Sequence, residues 1–217
     1  MPLLTIVPPM PGAERRFKPF VDFVRASGWE AEFVRLEWPG RQPAFGSTEI
    51  FPQIETQTEG KVVMGFSLGA LYSHLGALRA RHLILGSISP FFLEDEDEPQ
   101  RWMVSYRAGN PNIPADILVG GEEDAQMHRR AEAVYEFYRA GRQPRATDQE
   151  LPPRSPNSVI KPPRSPLPAP SSVSYTVVPG AEHELWHPNY LQAIKTSLDR
   201  LKDQPPKSGL RTPNLKA

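Results

Sequence analysis

The stretch "VVMGFSLGALY", from Val62 to Tyr72, determines how the rest of the chain is interpreted. It begins with a continuous apolar run, which is typical of a strand buried on both faces of a parallel sheet. It continues with the small and apolar residues of a helix. Between the two lies G-x-S-x-G, formed around Gly65, Ser67 and Gly69. Glycines two residues either side of a serine allow a strand-to-helix turn so sharp that neighbouring backbone segments nearly touch.

Two interpretations of Ser67 follow from this pattern. The serine is either a nucleophile exposed above the end of a sheet or a helix cap in an ordinary tight turn. In the first case the backbone N–H of Leu68, at the N-terminus of the helix, would face a developing oxyanion. The apolar strand before Ser67 and the helical pattern after it favour the nucleophile.

Short apolar runs alternate with helical stripes along the rest of the chain. This alternation predicts a single α/β domain over residues 1–203, with about six mostly parallel strands and helices on both faces. The strand carrying the G-x-S-x-G motif is third in sequence and is expected near the centre of the sheet. The predicted strands cover residues 3–7, 31–38, 61–66, 82–87, 115–121 and 173–180, and the predicted helices lie within residues 17–28, 68–80, 124–141 and 191–201.

A serine hydroxyl needs a base, and the base needs an acid that orients it. Asp124 follows the glycine pair that ends the fifth predicted strand, and His183 lies three residues beyond Gly180, at the end of the last strand. The carboxyl ends of parallel strands meet at one edge of a sheet, where open α/β sheets bind their ligands. Ser67, Asp124 and His183 are therefore expected to meet at that edge.

The pattern of G-x-S-x-G between a strand and a helix, then Gly-x-x-Asp and Gly-x-x-His after later strands, resembles the α/β-hydrolase superfamily. The likeness is to its small esterase-like members, and it covers Leu3 to about Lys202. It implies that Ser67 is the nucleophile, His183 the general base and then acid, and Asp124 the residue that orients His183. The implied activity is hydrolysis of a small carboxylic ester through an acyl-enzyme. Thioester or amide hydrolysis would use the same triad.

Other assignments of the orienting acid stay open on the sequence. Glu122 and Glu123 adjoin Asp124, and some α/β hydrolases take the acid from the end of the preceding strand. In that case Asp95 or Asp97, in the acidic run "FFLEDEDEPQ", would supply it.

The superfamily usually takes its second oxyanion donor from the loop after the first central strand. Here that loop reads "VPPMPG", and Pro8 and Pro9 have no backbone N–H. Met10 is then the nearest donor, and it is predicted to form the oxyanion hole with Leu68. The chain between Ser67 and Asp124 already holds a helix and two strands, so no cap domain is expected.

His183 also begins "HELWH", a literal H-E-x-x-H that on a regular helix would present two histidines to zinc. Pro188 follows His187 directly and disfavours helical geometry at that histidine. A third ligand at suitable spacing is not evident. No metal site is therefore predicted, and no cofactor is predicted either.

Composition narrows the remaining function classes. The 25 basic and 25 acidic residues balance, which gives no sign of a nucleic-acid partner, and the chain has no cysteine. The segment "MPLLTIVPPMPG" has no basic leader and too short an apolar run for a membrane span, so a cytoplasmic protein is expected.

Proline is unusually frequent, at 26 of 217 residues, and it is concentrated in residues 142–172, where "PPRSPNSVIK" is followed by "PPRSPLPAPS". We expect a disordered insert there, and a second disordered segment at residues 204–217. The insert is either a tolerated surface loop or a ligand for a protein partner, with Ser-Pro phosphorylation sites at Ser155 and Ser165. A non-catalytic protein that recruits partners through these repeats is the alternative from another class.

Overall fold

The computed structural model describes residues 1–38, 49–89, 109–140 and 172–203. The Pro-rich insert up to residue 171, residues 204–217, Asp95, Asp97 and the segment where a cap would be inserted lie outside the described residues. The strands are β1 (Leu3–Val7), β2 (Glu30–Phe33), β3 (Val62–Phe66), β4 (His82–Gly86), β5 (Ala115–Gly120) and β6 (Val173–Val178). The helices are α1 (Ala13–Arg16), α2 (Lys18–Ala26), α3 (Ile50–Thr58), α4 (Leu68–Gly76), α5 (Ala125–Ala140) and α6 (Pro188–Lys202).

The six described strands form one sheet in the order β2-β1-β3-β4-β5-β6, and every pairing is parallel. Strands β3, β4 and β5 are buried along their whole length. Their continuous apolar runs are what burial on both faces requires. The prediction of a six-stranded parallel sheet, with the motif strand near its centre, is confirmed.

Helices cover both faces of this sheet, as predicted. Residues of α3, α4 and α5 share one hydrophobic cluster, and residues of α1, α2 and α6 share the other. Neighbouring strand residues contribute to opposite clusters: Leu83 and Leu85 pack in the first, and Ile84 packs in the second. This is the period-two alternation of a strand with a core on each side.

The second strand is shorter than predicted, and helix α3 was not predicted at all. Strand β2 ends at Phe33, and two side chains of α3 then take over the hydrogen bonding that a neighbouring strand would supply. The Arg35 N–H donates to Gln57 Oε1 at 2.9 Å, and Gln57 Nε2 donates to the Arg35 carbonyl at 2.8 Å. Gln53 makes the same pair of contacts with the backbone of Glu37. The backbone after β2 is thus satisfied without being part of the sheet.

This topology positions the site. Parallel pairing brings the carboxyl ends of β3, β4, β5 and β6 to one edge, and the segments that follow them carry Ser67, Ser87, Glu123 and His183. No helix among the described residues is long and apolar enough to cross a membrane.

Candidate active site

Ser67 occupies a strained turn between β3 and α4, with φ 55° and ψ −124°. L-residues rarely adopt such a conformation, which costs roughly 1–3 kcal/mol. A Cβ on Gly65 would lie 2.1 Å from the carbonyl oxygen of Gly69, and a Cβ on Gly69 would lie 2.4 Å from that of Val7. Only glycine fits at either position, so the predicted sharp turn is present. The Ser67 side chain makes no capping hydrogen bond to α4, which argues against the interpretation as a helix cap.

His183 reaches the same edge of the sheet from the end of β6. The chain turns at Pro179 and Gly180, where φ is 68°, and Asn189 Nδ2 fixes the turn by donating to the Pro179 carbonyl at 2.8 Å. The imidazole packs against Phe66, the residue before the serine, with 5.1 Å between ring centroids. Its side chain is 44% exposed. One side of the ring is therefore supported by the strand that carries Ser67, while the imidazole remains accessible to solvent.

The carboxylate beside His183 belongs to Glu123 and not to Asp124. Glu123 Oε1 lies 3.5 Å from His183 Nδ1, and the Glu123 side chain is only 1% exposed. Asp124 Oδ1 instead accepts the backbone N–H groups of Gln126 and Met127, both at 2.9 Å. An aspartate directly before a helix is among the best N-caps. The predicted contact between Asp124 and His183 is thus not found among the described residues, because Asp124 Oδ1 caps α5, and Glu123 is the candidate for the orienting acid.

The close contact with Glu123 also indicates which imidazole nitrogen faces the carboxylate. Nδ1 is the ring nitrogen that faces Glu123 Oε1, 3.5 Å away, and a tautomer with its proton on Nδ1 leaves Nε2 with a free lone pair. Such a tautomer is the one a general base needs toward a hydroxyl on its other side.

Two further buried residues belong to this network, and the sequence pattern pointed to neither. Ser87 contacts the carboxylate directly, and Tyr190 contacts Ser87. The Ser87 hydroxyl, directly after β4, donates to Glu123 Oε1. The Tyr190 hydroxyl, on α6, lies 2.8 Å from Ser87 Oγ. Burial is the main cause that raises the pKa of Tyr190 far above its ordinary value, so this hydroxyl stays protonated. The one sequence feature that could have indicated Ser87 is its position directly after a buried strand of the same sheet.

Ser67 and His183 open onto one cavity of about 430 Å³. Four acidic residues contribute to its wall, and the charge of Glu123 is the only one of these that the geometry pairs with His183. The remaining acidic side chains give the cavity a negative character. The lining residues are Ser67, Ser89, Glu122, Glu123, Asp124, Met127, Glu182 and His183.

The loop after β1, which carries Met10, lies against the start of α4. A Cβ added at Gly69 would meet the Val7 carbonyl and come within 3.5 Å of the Pro9 nitrogen, so β1 and α4 are in close contact at this point. Met10 is 41% exposed, and its carbonyl accepts the Ala13 N–H at 3.3 Å. Leu68 is the first residue of α4. The loop and the helix N-terminus thus adjoin, and the use of their N–H groups as an oxyanion hole stays a prediction.

The H-E-x-x-H sequence does not lie on a helix. Residues 183–187 are not helical: residues 185 and 186 form a turn, and α6 begins only at Pro188. His187 is the N-cap of α6, and its Nδ1 accepts the Asn189 N–H at 3.3 Å. Among the described residues there is no group of three or more potential metal ligands. The proline after His187 therefore has the effect expected of it, and the two histidines do not form the i, i+4 pair of a zinc site.

Two other histidines are buried in structural contacts. His82 Nε2 lies 3.1 Å from Asp116 Oδ2, at the amino ends of β4 and β5 and so at the opposite edge of the sheet. His74, on α4, is hydrogen-bonded through Nδ1 to the Tyr138 hydroxyl at 2.9 Å. Burial, with a smaller effect of the Arg130 charge, lowers the pKa of His74 to about 4. Both histidines are thus held in contacts of the core rather than at the cavity that Ser67 lines.

Comparison with solved structures identifies the fold. Est1E from Butyrivibrio proteoclasticus matches with a TM-score of 0.54 at 12% identity, over 93% of this chain and 86% of that chain. The propionate-bound esterase Est2 from Thermogutta terrifontis matches with a TM-score of 0.59 at 10% identity, over 92% of this chain and 82% of that one. An uncharacterized Bacillus cereus protein gives 0.58 at 11% identity; the match covers 93% of this chain but 60% of that longer one.

The chain therefore has the α/β-hydrolase fold, in a form similar to that of esterases of known structure. No protein-family model matches the sequence, and no curated protein matches it either. At these identities the likeness concerns the fold, so the chemistry has to be argued from the site itself.

Proposed function

We propose that this protein is a serine hydrolase that cleaves small carboxylic esters through an acyl-enzyme on Ser67. The observation that carries the proposal is the strained turn at Ser67, which shares a cavity with a histidine held beside a buried carboxylate. Strain of this kind persists only where the surrounding structure enforces it, and it is typical of functional positions. The fold shared with Est1E and Est2 supports the choice of an ester over other acyl substrates.

In the acylation step, His183 Nε2 takes the proton from Ser67 Oγ as the oxygen attacks the ester carbonyl. Negative charge develops on the carbonyl oxygen, where the N–H groups of Leu68 and Met10 are the proposed donors. The imidazolium that forms on His183 is stabilised by the Glu123 carboxylate. The tetrahedral intermediate then collapses, the carbon–oxygen bond to the alcohol breaks, and His183 returns its proton to the departing alkoxide.

Deacylation repeats the sequence with water. His183 removes a proton from the water as its oxygen attacks the acyl carbon, and the proton returns to Ser67 Oγ when the acid leaves. Neither half-reaction requires a group beyond the chain's own residues and water. Glu123 serves both halves, because an imidazolium forms in each.

The test is labelling with a fluorophosphonate probe, with the adduct mapped by mass spectrometry, alongside hydrolysis of 4-nitrophenyl acetate, butyrate and octanoate. We expect an adduct on Ser67 that is lost in Ser67→Ala. Ser89→Ala is the matched control, because Ser89 lines the same cavity but lacks the strained turn, and it should still be labelled on Ser67. A folded wild-type protein that neither labels nor hydrolyses any ester would refute the proposal.

The choice between an ester and other acyl compounds is tested in the same assay. Thioester and anilide substrates with the butyryl group are compared with the ester at equal concentration. A kcat/KM for the thioester or anilide above that for the ester would move the assignment to that class while leaving the triad intact.

A further inference from the structure

Ser87 has an unfavourable backbone conformation, and its side chain contacts Glu123. Its φ is 45°, and among the described residues the only other non-glycine with positive φ is Ser67. The Ser87 N–H donates to the Leu118 carbonyl at 2.8 Å, which fixes the backbone in this position. Glycine would adopt the same φ without strain. What serine has and glycine lacks is the hydroxyl, and that hydroxyl contacts Glu123.

The protons in this network have a consistent arrangement. The Ser87 hydroxyl has a single proton, which it donates to Glu123 Oε1. Ser87 Oγ then has lone pairs to accept from the Tyr190 hydroxyl, 2.8 Å away. The Tyr190 hydroxyl also donates to the Leu118 carbonyl at 3.0 Å, so its single proton has two competing acceptors. The Ser87 hydroxyl is thus held between the Glu123 carboxylate, to which it donates, and the Tyr190 hydroxyl.

The two oxygens of the Glu123 carboxylate differ in their surroundings. Oε1 contacts both the Ser87 hydroxyl and His183 Nδ1, whereas Oε2 is buried and has no hydrogen-bond partner among the described residues. Among the described residues, the Ser87 hydroxyl and His183 are thus the two groups that determine which Glu123 oxygen faces the imidazole. A carboxylate without the Ser87 hydroxyl would be free to rotate toward either arrangement.

The packing around these groups links them to the nucleophile strand. Phe66 contacts the His183 ring on one side and meets the Tyr190 ring edge-on at 5.5 Å on the other. A Cβ on Gly86 would lie 3.1 Å from Phe66 and 3.2 Å from the Tyr190 hydroxyl, so this region has no spare space. Tyr190 is fully buried. The tyrosine hydroxyl is therefore held in a fixed place relative to both Ser87 and the imidazole.

We propose that Ser87 and Tyr190 are positioning residues of the site, which hold Glu123 Oε1 against His183. The inference rests on the proposed hydrolase function, since it assigns a role to two groups that act through the orienting acid. Neither residue lines the cavity, so neither is expected to touch substrate.

Ser87→Gly is the sharpest test, because it removes the hydroxyl and relieves the positive φ in one change. A hydrogen bond to a charged group corresponds to about a tenfold to hundredfold effect, and we expect kcat to fall by that amount. KM should stay within about twofold, because ground-state binding is untouched. The melting temperature should change little, since the relieved strain offsets the lost hydrogen bond. An unchanged kcat, or a rise in KM with a loss of stability, would overturn the proposal.

Tyr190→Phe tests the role of the Tyr190 hydroxyl, which reaches Glu123 only through Ser87, and Tyr138→Phe is its matched control. Both variants delete one buried tyrosine hydroxyl, but Tyr138 bonds to His74, which the site does not use. We expect about a threefold to tenfold lower kcat for Tyr190→Phe at constant KM, and wild-type kcat for Tyr138→Phe. Equal losses in the two variants would show a general packing effect and refute the positioning role. Wild-type protein without activity or Ser67 labelling would instead remove the hydrolase function together with this inference.

Discussion

Replacement of the acid beside His183 gives the most informative test of the site. Glu123→Gln removes the charge but keeps the size of a side chain that is 1% exposed and whose Oε1 lies 3.5 Å from His183 Nδ1. At an effective dielectric constant of about 20, two unit charges at this distance attract by about 5 kcal/mol. Because the histidine is 44% exposed, solvent screening reduces this energy, and we take roughly 2–3 kcal/mol as the effective value.

The attraction matters only when His183 is an imidazolium, which forms in the transition state. The loss should therefore appear in kcat, as a decrease of about 30-fold to 150-fold, with little change in KM. The assay is steady-state hydrolysis of 4-nitrophenyl butyrate, with circular dichroism to verify folding. Burst kinetics would show whether acylation and deacylation both slow, as expected from a carboxylate that serves both steps.

Asp124→Asn is the matched control for this experiment. Asparagine caps helices about as well as aspartate, so the contacts to the first turn of α5 can be kept while the charge is lost. We expect wild-type kcat within about threefold, since any effect is that of one screened surface charge. A larger loss for Asp124→Asn than for Glu123→Gln would refute the assignment of Glu123 and restore the sequence-based choice.

Three further outcomes are expected. Gly69→Ala should unfold the protein or lower its stability by more than about 3 kcal/mol, because the new Cβ would lie 2.4 Å from the Val7 carbonyl; thermal melting near the wild-type temperature would contradict this. The pKa of His74 is lowered to about 4, chiefly by burial and further by the Arg130 charge, so folding favours the neutral ring. The contribution of His74 to the free energy of unfolding is fully present above pH ~6.5 and decreases by about 3 kcal/mol as pH falls to ~4. In His74→Gln, the free energy of unfolding measured by urea titration at each pH should therefore depend less steeply on pH. Esters with an anionic acyl group should be poorer substrates than neutral ones of equal length, because the cavity wall is acidic. Glu182→Gln should therefore raise the rate of 4-nitrophenyl hemisuccinate hydrolysis about threefold relative to that of the butyrate ester. An unchanged ratio of these two rates would exclude Glu182 from the substrate's surroundings.

The sequence was sufficient to predict the sheet and the sharp turn because both rest on local rules. Buried parallel strands have continuous apolar runs, and the turn needs glycine at Gly65 and Gly69, where any side chain would collide with backbone. The placement of His183 near the carboxyl ends of the strands could be predicted for a similar reason, since it follows a short turn that ends the last strand. These features depend on residues near each other in the chain.

The features that were missed depend on competition between nearby groups or on distant contacts. Asp124 and Glu123 both follow strand β5, and only the start of α5 decides that the first is used as a cap and the second faces His183. Helix α3 has weak local signals, with a proline inside it, and its role in bonding the backbone after β2 depends on the fold. Ser87 gains its importance from Tyr190, which is 103 residues away in sequence.

β6 is the outermost of the described strands on its side of the sheet, and this position has a consequence for how activity responds to denaturants. The segment that holds His183 follows β6. Of the strands that the structure describes, β6 pairs only with β5, and Val177 within it is 45% exposed. Edge elements with fewer buried contacts open at lower free energy than the centre of a domain. Opening of β6 and the start of α6 would withdraw the histidine while β1, β3 and β4 stay folded. Hydrolysis should therefore be lost at a lower urea concentration than the circular dichroism signal, so that activity reports the integrity of this last segment rather than that of the whole domain.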